Sequence, residues 1–301
     1  MRIGLIGVGL MGRGMGLRLL RDGHVLRVLA HVNRETVDEL VAAGAVESAT
    51  AAEIAADSDA IVLCLPNAVV VEEVLFGPTG IAGGAARGLL VLDCSTSVPV
   101  RSREFSRRLD TLGIAFVDAP VTGGPTEAAT GKLVGLVGGS DSDIERARAI
   151  LDAFCATIHV FGAVGTGHAA KLVNNGMGFG ILAVVAEVLA TAIRQGLHLP
   201  TLLEMIDHSG GQNRILQGLT PWLLTGDESF PKVTIATAAK DIDYFVQVAQ
   251  SVDTDGPVLA QVHNEFRRAI ESGIGDRMLP AYAAAVVARE STNFDQEKEL
   301  P

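Results

Sequence analysis

The sequence predicts a protein of two parts, in which a doubly wound α/β sheet is followed by an all-α region. Short apolar runs alternate with helical patterns over roughly the first 160 residues, which is typical of a mostly parallel sheet with helices on both faces. After Gly162 almost every apolar pattern has the period of a helix. A helix predicted from about residue 167 to about residue 195 is long enough to join the two parts.

The composition is that of a globular, acidic protein. Of the 301 residues, 48% are hydrophobic and 20% are charged, which provides a sizeable core for one large domain or two ordinary ones. The net charge of −11 argues against nucleic acid and against an anionic membrane as partners. A small phosphorylated ligand stays compatible with that charge, because a local pocket decides its binding.

The cysteines and the N-terminus indicate a soluble protein of a reducing compartment, and we expect a cytoplasmic location. Cys64, Cys94 and Cys155 lie far apart in apolar runs, so we expect small buried side chains and neither a disulfide nor a metal site. The N-terminal segment opens directly into a glycine motif and lacks a signal-peptide cleavage site. No apolar run is expected to reach membrane-spanning length.

The first elements form a fingerprint for a dinucleotide. An apolar strand over residues 3–8 is followed by Gly7-x-Gly9-x-x-Gly12 and by a helical pattern from about residue 11 to residue 21. In this order the glycines allow a tight turn, close approach of a pyrophosphate, and close packing of helix on strand, while the helix N-terminus offers N–H groups to the phosphates. We therefore predict that a cofactor binds to Gly7, Val8, Gly9, Leu10, Met11 and Gly12. The alternative is a glycine turn without a ligand.

The end of the second strand favours NADP(H) over NAD(H). An acidic residue would bind the ribose hydroxyls of NAD about 20 residues after the last glycine, but the strand predicted over residues 25–32 ends in Asn33 and Arg34. A guanidinium and an amide suit a 2′-phosphate. Glu35 keeps NAD(H) as an alternative, and Arg34 could instead be a solvated surface charge.

The next elements continue the alternation and end in polar or glycine-rich segments. We predict strands over residues 45–47, 59–65, 89–94, 115–118, 133–137 and 157–161. We also predict five helices: one over about 35–43, one that begins at Thr50, one over 69–76, one that ends at about 112, and one from Ser140 to about 155. Leu65 and Pro66 end one strand at the edge where cofactors bind in such sheets. Thr96 lies in a Ser-Thr-Ser cluster that is predicted to cap the following helix and to line the nicotinamide end.

The segment Thr122-Gly123-Gly124 follows the strand at residues 115–118. A hydroxyl and two adjacent glycines at a strand end expose backbone N–H groups, which suits a carboxylate. The alternative is a simple turn.

The second part reads as helices over about 167–195, 200–208, 214–224, 234–251, 257–271 and 279–289, with a break at 209–213 and a loop at 225–232. Lys171 and Asn175 are four residues apart in the first of these, so they are expected to share one helical face. An ammonium and an amide on one face, where the architecture changes, predict a cleft at that place.

Six motifs, in this order, resemble those of the β-hydroxyacid dehydrogenase family, which includes 3-hydroxyisobutyrate dehydrogenase-like enzymes. They are GVGLMGRGM (7–15), CLPNAVVVEEVLFGPTGI (64–81), LDCSTSVP (92–99), DAPVTGGPTEAATGKL (118–133), GTGHAAKLVNN (165–175) and AAKD (238–241). The resemblance implies a Rossmann NAD(P)-binding domain over residues 1–164 and an all-helical substrate and dimerisation domain over residues 165–291, with a charged tail at 292–301. It also implies a homodimer or homotetramer.

The resemblance assigns roles residue by residue. Lys171 matches the catalytic lysine, and Asn175 matches the amide that holds the substrate. Thr122, Gly123 and Gly124 match the substrate-binding segment, Lys240 matches a lysine near cofactor and substrate, and Phe230 matches an aromatic residue that closes the site. Two departures bear on the substrate: Thr122 stands where the family usually has serine, and Glu127 stands where it usually has glycine.

These roles imply hydride transfer between a nicotinamide and a small carboxylate-bearing 3-hydroxy acid or its semialdehyde. Lys171 would be the general acid in reduction and the general base in oxidation. A free lysine has a pKa near ~10.4, which burial or a nearby cation such as Lys240 would have to lower. The rival interpretations are an imine reductase, a class that usually lacks this lysine, and a non-catalytic cofactor-binding interaction module.

Overall fold

The computed structural model describes residues 1–29, 34–226 and 232–297, with side chains up to residue 288. The chain folds as two compact units, Met1–Lys171 and Leu172–Pro301. The boundary falls between Lys171 and Leu172, inside a continuous helix that runs from Thr166 to Arg194.

The first unit contains the predicted sheet. Its strands are β1 Arg2–Ile6, β2 Val25–Leu29, β3 Val46–Ser48, β4 Ala60–Leu63, β5 Leu90–Asp93, β6 Ala115–Asp118, β7 Val121–Thr122, β8 Leu133–Gly138 and β9 Cys155–Gly162. The spatial order is β3-β2-β1-β4-β5-β6-β8-β7, and β9 also pairs with β8. The pairs from β3 to β6 are parallel, as is β8 with β9, whereas β8 is antiparallel to β6 and β7. The mostly parallel sheet is therefore confirmed, and its first six strands have the order of a dinucleotide-binding fold.

Helices connect these strands. They are α1 Leu10–Arg21, α2 Arg34–Ala42, α3 Ala51–Ala56, α4 Ala68–Phe76, α5 Ile81–Gly84, α6 Pro99–Asp110, α7 Pro125–Thr130, α8 Asp141–Leu151 and the first turns of α9 Thr166–Arg194. The sequence predicted all of these except α5 and α7, and it also missed β7. Each missed element has six residues or fewer, which is too short for a periodic pattern to show.

Two of the predicted helix caps are confirmed, and one is wrong. Thr50 accepts a hydrogen bond from the Glu53 N–H at the start of α3, and Ser140 accepts one from the Asp143 N–H at the start of α8. The cluster at residues 95–97 does not cap α6, whose N-cap is Val98 and whose first residue is a proline. The Ser95 hydroxyl instead accepts from the Leu65 N–H after β4, and the Ser97 hydroxyl is buried without a hydrogen-bond partner among the described residues.

The sheet is buried because helices cover both faces. Ile61, Val62 and Leu63 of β4 are fully buried, as expected for a central parallel strand. One core cluster forms around Leu5 on the face covered by α1, and another forms around Ile61 on the face covered by α3 and α6. Alternate residues of each strand therefore belong to different cores.

The second unit is helical in the part of the chain that the structure describes. It contains the rest of α9, α10 Leu199–Asp207, α11 Arg214–Thr225, α12 Ile235–Ser251, α13 Pro257–Ala269, a π-helical turn Ile270–Ile274 and α14 Leu279–Glu297. Its core packs around Phe266, whose ring makes an edge contact with the Tyr282 ring at 4.8 Å between centroids. The predicted helices are confirmed, with Asn213 and Thr234 as caps of α11 and α12.

The expectation that no apolar run reaches membrane-spanning length is wrong. By length and composition alone, the 29-residue helix α9 could cross a membrane. Less than half of its most apolar window is buried within the protein. Core helices of soluble proteins pass the same test, so this feature does not by itself assign a membrane.

Helix α7 packs closely against α1, and a glycine makes this possible. A Cβ atom at Gly14 would lie 2.7 Å from the Ala129 nitrogen and 2.8 Å from the Ala128 carbonyl carbon. Main-chain atoms cannot give way as a flexible side chain can. The approach of α7, and with it the loop before α7, depends on this missing side chain.

We predict that Gly14→Ala lowers the free energy of unfolding by about 1–3 kcal/mol, because the added methyl overpacks the contact between α1 and α7. Urea denaturation measures this change. Gly83→Ala is the matched control, because Gly83 is also helical but a Cβ there meets nothing within 4 Å. Equal stability of both variants would contradict the close packing described.

Candidate active site

The glycine loop after β1 has the geometry that a dinucleotide requires. Gly7 has φ +100°, and a Cβ there would lie 2.2 Å from the Cys64 carbonyl oxygen. A Cβ at Gly12 would lie 1.9 Å from the Gly7 oxygen, whereas one at Gly9 meets nothing within 4 Å. The first glycine thus permits the turn, the third permits close packing, and the second leaves open space over the loop. The residues present fit the pyrophosphate of a nicotinamide dinucleotide.

The N-terminus of α1 is suited to phosphate in the same way. Gly9 is its N-cap, no side chain caps it, and its first turn carries no acidic residue. Helix N-termini of this kind offer N–H groups and positive potential to an anion. Leu10 is 63% exposed, Met11 is half-buried and Val8 is buried. The predicted loop residues therefore lie together at one edge of the sheet.

Leu65, Pro66 and Thr96 lie at the ends of β4 and β5, on the same edge as the glycine loop. The Leu65 N–H donates to the Ser95 hydroxyl at 2.9 Å, so the two strand-end segments are tied together. Thr96 is half-buried between Ser95 and Ser97, which are buried. Burial removes water from the neighbouring Cys64 thiol and raises its pKa to about 12. This cysteine is therefore not a nucleophile at neutral pH.

Arg34 makes ion pairs that the sequence did not predict. Its guanidinium donates to both carboxylate oxygens of Glu47, at 2.5 and 3.0 Å, and to Asp38 at 2.6 Å. Hydrogen bonds to Glu47, then to Asp38, raise the pKa of Arg34, and Arg34 in turn lowers the pKa of Glu47. A 2′-phosphate at Arg34 would have to compete with these carboxylates. Asn33, the other residue assigned to that phosphate, lies outside the described residues.

The loop at Thr122, Gly123 and Gly124 is not the open cradle that the sequence predicted. Gly123 has φ +116°, a conformation that favours glycine, but the Gly124 N–H already donates to the Glu127 carboxylate at 2.8 Å. Gly124 is the N-cap of α7, and this bond is the glutamate half of a capping box, since glycine has no side chain for the other half. One of the backbone donors assigned to a substrate carboxylate is therefore engaged by a carboxylate of the chain itself.

The start of α9 is fixed to the edge of the sheet by Asp118 at the end of β6. One carboxylate oxygen accepts the Gly165 N–H at 2.7 Å, and the other accepts the His168 N–H at 2.8 Å. Gly165 and Gly167 allow this approach, since a Cβ at Gly167 would lie 2.4 Å from the Leu136 oxygen. These glycines therefore allow close packing at the start of α9.

The pKa of the Asp118 carboxyl group reflects this burial. Desolvation raises the pKa of its carboxyl group, while His168 and the two N–H donors lower it. The sequence analysis did not single out Asp118. An acidic residue at the end of an otherwise apolar strand was the available signal, because such a residue needs nearby donors when it is buried.

His168 joins several segments of the first unit. It is fully buried; its Nε2 donates to the Ser95 carbonyl at 3.1 Å, so in the neutral ring Nδ1 accepts from the Ser102 hydroxyl at 2.6 Å. The Asp93 and Asp118 carboxylates each approach its ring nitrogens to 3.8 Å. This network holds the turn of α9 immediately before Lys171.

Lys171 lies three residues after His168 on α9 and is half-buried. Asn175 follows four residues later on the same helix, so the two side chains leave the helix on one face.

In the second unit, Asn175 and Lys240 both contact Asp241. The Asn175 Nδ2 donates to one carboxylate oxygen at 2.7 Å, and the Lys240 Nζ lies 3.0 Å from the other oxygen. The second contact is an ion pair and not a hydrogen bond, and the Asp241 Oδ1 has no hydrogen-bond partner within the described residues. Asp241 is 3% exposed, so it orients two of the predicted site residues from a buried position.

Asp241 follows Lys240 in the motif AAKD, and the sequence did not assign it a role. A signal was present, because the buried apolar face of α12 includes Ala238 and Ile242 and also contains this one acidic position. Its charge also counters that of Lys240, which weakens the expectation that Lys240 acts as an uncompensated cation. Phe230 lies outside the described residues.

Comparison with known proteins places the whole chain among dehydrogenases. Residues 2–165 match the family described as the NAD-binding domain of 6-phosphogluconate dehydrogenase. Residues 165–285 match the family described as the NAD-binding part of NADP-dependent 3-hydroxyisobutyrate dehydrogenase. The second match includes all of α9, which is thus part of a dehydrogenase helical region.

Individual relatives agree with these families. The chain is 34% identical to the 3-sulfolactaldehyde reductase of Escherichia coli, with 91% of each chain covered. It is 31% identical to the NAD-dependent L-serine dehydrogenase of Pseudomonas aeruginosa, with 92% of this chain and 94% of that protein covered. A structure of 3-hydroxyisobutyrate dehydrogenase from Mycobacterium tuberculosis with L-serine is similar at a TM-score of 0.85 and 25% identity, covering 95% and 98% of the two chains.

Imine reductases are similar in fold but more distant. The Bacillus cereus enzyme has a TM-score of 0.60 at 20% identity, covering 94% of this chain and 98% of that chain. At that identity the likeness concerns the fold alone.

We predict that Asp118→Ala lowers the free energy of unfolding by about 2–4 kcal/mol, because it leaves the buried N–H groups of Gly165 and His168 without acceptors. Relief of the carboxylate's desolvation offsets part of that loss. Chemical denaturation at neutral pH measures the change, with the exposed Asp110→Ala as the control. A loss no larger than that of the control would contradict the role of Asp118.

Proposed function

This chain belongs to the β-hydroxyacid dehydrogenase family, and we propose that it transfers a hydride between a nicotinamide cofactor and a small 3-hydroxy acid or its semialdehyde. The glycine loop carries the proposal, because Gly7 and Gly12 cannot bear a side chain while the space over Gly9 is open. The relatives named above act on hydroxy acids and aldehydes of this size. Their names support the substrate class without fixing the substrate.

In this proposal the first unit holds the cofactor. When bound, the nicotinamide supplies or accepts the hydride. The residues that hold the cofactor are Gly7, Val8, Gly9, Leu10, Met11, Gly12, Leu65, Pro66 and Thr96, with Asn33 and Arg34 at the adenosine ribose. The uncapped N-terminus of α1 stabilises the pyrophosphate through its N–H groups.

Lys171 moves the proton. In reduction its ammonium donates to the carbonyl oxygen that becomes the hydroxyl, and in oxidation its neutral amine accepts the hydroxyl proton. General acid–base assistance of this kind contributes roughly 10²–10⁴ in rate.

Substrate binding is assigned to Thr122, Gly123, Gly124, Asn175 and Lys240. Asp241 positions the last two, because it accepts from the Asn175 amide and pairs with the Lys240 ammonium. With Nδ2 bonded to Asp241, the Asn175 amide has a defined orientation, and its Oδ1, which also accepts from the Asn174 Nδ2 at 3.3 Å, is the atom that accepts a hydrogen bond from a substrate hydroxyl. Positioning of this kind supplies much of an enzyme's rate enhancement.

We favour NADP(H) as the cofactor, with NAD(H) as the alternative. Arg34 is the residue that supports NADP(H), and its ion pairs with Glu47 and Asp38 reduce the advantage that it gives. The resemblance to the family further supports a homodimer or homotetramer and a cytoplasmic location, and we include both in the proposal.

The first test is a screen of 3-hydroxy acids and semialdehydes with NADP(H) and NAD(H) side by side. We predict that Lys171→Ala loses at least about 10²-fold in kcat while its dissociation constant for NADPH stays within about twofold, since Lys171 transfers the proton and does not hold the cofactor. Lys132→Ala, at an exposed lysine of the same unit, is the control.

The outcomes are distinct. Turnover near that of the unaltered protein in the Lys171 variant would remove Lys171 from the mechanism. Absence of turnover by the unaltered protein with every hydroxy acid and semialdehyde, combined with measurable NADPH binding, would favour the non-catalytic interpretation instead.

The cofactor preference gives a second test. We predict that Glu47→Gln lowers the Michaelis constant for NADP⁺ about 3–10-fold and leaves that for NAD⁺ nearly unchanged. The reason is that the Glu47 carboxylate then no longer competes with the 2′-phosphate for the Arg34 guanidinium. Steady-state kinetics with a fixed substrate measures both constants. Arg34→Ala should act in the opposite direction, and an equal response to the two cofactors would contradict the role of this ion pair.

A further inference from the structure

We propose that Glu127 determines substrate specificity: its carboxylate replaces part of the anion cradle at Gly124 and selects 3-hydroxy acids that carry an ammonium or hydroxyl group next to the carboxylate. The inference rests on the proposed function and deepens it. Glu127 then acts in substrate recognition as well as at the start of α7, and it distinguishes 3-hydroxy acids by the substituent next to the carboxylate.

The first argument is the position of Glu127. It lies at the third residue of α7, and α7 is held against the cofactor-binding helix α1 where Gly14 meets Ala128. Since this contact is between main-chain atoms, α7 cannot move relative to α1 without losing it. The Glu127 carboxylate is therefore a fixed charge beside the loop that is assigned to the substrate.

The second argument is the conformation of its side chain. The Glu127 Oε2 accepts the Gly124 N–H at 2.8 Å, and its Cβ and Cγ would lie 3.2 and 3.4 Å from a Cβ at Gly123. The side chain thus folds back against both glycines of the loop. It occupies the donor that an incoming carboxylate would use at Gly124.

The third argument is the acceptor capacity that remains. One carboxylate oxygen is held by Gly124, and within the described ranges no hydrogen bond reaches the other oxygen, Oε1. Glu127 is half-buried, so water screens it less than it would screen a surface carboxylate. A carboxylate in this setting attracts an ammonium, accepts a bond from a hydroxyl, and repels a second carboxylate.

These arguments together define the preferred substrate. A simple 3-hydroxy acid brings only its carboxylate to the loop and meets repulsion from Glu127. An acid with an ammonium or a hydroxyl on the adjacent carbon brings a donor as well, and this donor offsets the repulsion. An alkyl substituent at that carbon offers no donor to the acceptor.

The experiment compares four acids that differ only at that carbon: 3-hydroxypropanoate, 3-hydroxyisobutyrate, glycerate and serine. Glu127→Gln is the informative variant, because an amide oxygen still accepts the Gly124 N–H at the start of α7 while the charge is removed. Glu145→Gln, at a carboxylate whose side chain is 80% exposed in the same unit, is the control.

We expect Glu127→Gln to lower kcat/KM for serine about tenfold and to raise it for 3-hydroxyisobutyrate and 3-hydroxypropanoate by a similar factor, with glycerate between them. The change should appear in KM rather than in kcat, since Glu127 does not contact the reacting atoms. A role confined to capping would alter all four acids equally. A ratio of serine to 3-hydroxyisobutyrate that stays within twofold of the unaltered protein overturns the proposal.

Binding of the same acids to the NADP⁺-loaded protein, measured by calorimetry, separates this inference from the proposed function. If the protein turns over none of the acids but the variant reverses their order of affinity, the role of Glu127 stands and the catalytic proposal fails. If the acids bind neither protein, or bind both in the same order, the role of Glu127 is overturned.

Discussion

The carboxylate of Asp118 decides where α9 begins, and the position of Lys171 follows from that. It accepts two N–H groups from residues at the start of the helix, which otherwise would be buried without partners. The glycines at 165 and 167 bring the helix close enough for these bonds. A negative charge at a helix N-terminus is also favourable electrostatically. Desolvation opposes this arrangement, and its effect on the Asp118 carboxylate exceeds that of the hydrogen bonds, so the pKa of Asp118 is raised.

Three of the groups assigned to ligand binding already bind carboxylates of the chain. Arg34 pairs with Glu47, Lys240 pairs with Asp241, and the Gly124 N–H donates to Glu127. Such partners fix the direction of each donor before a ligand arrives, which reduces the ordering cost of binding. They also compete with an anionic ligand for the same donors.

Sequence reasoning succeeded where a constraint is local and failed where it depends on distant partners. The roles of Gly7, Gly9 and Gly12 follow from the geometry of one turn, and the structure has that geometry. The hydroxyl of Ser95 was expected to cap α6, but it accepts from an N–H thirty residues away in sequence. No local rule finds that partner. The bond between Glu127 and Gly124 had only half of a sequence signature, because a capping box pairs such a glutamate with a Ser or Thr N-cap and position 124 is glycine. It was missed because the helix is too short to show a period.

Lys171 and Asn175 lie four residues apart on α9, so their side chains leave the same face of the helix. Lys171 belongs to the first unit and Asn175 to the second, yet one regular helix carries both, so their relative direction is set by the helix itself. Four residues bring two side chains to one face, and a single inserted residue would turn one of them by about 100°. Asp118 fixes one side of this segment and Asp241 the other, through partners 47 and 66 residues apart. Under the proposed function Lys171 and Asn175 act on one substrate, and their common direction requires that α9 stays regular between residues 171 and 175.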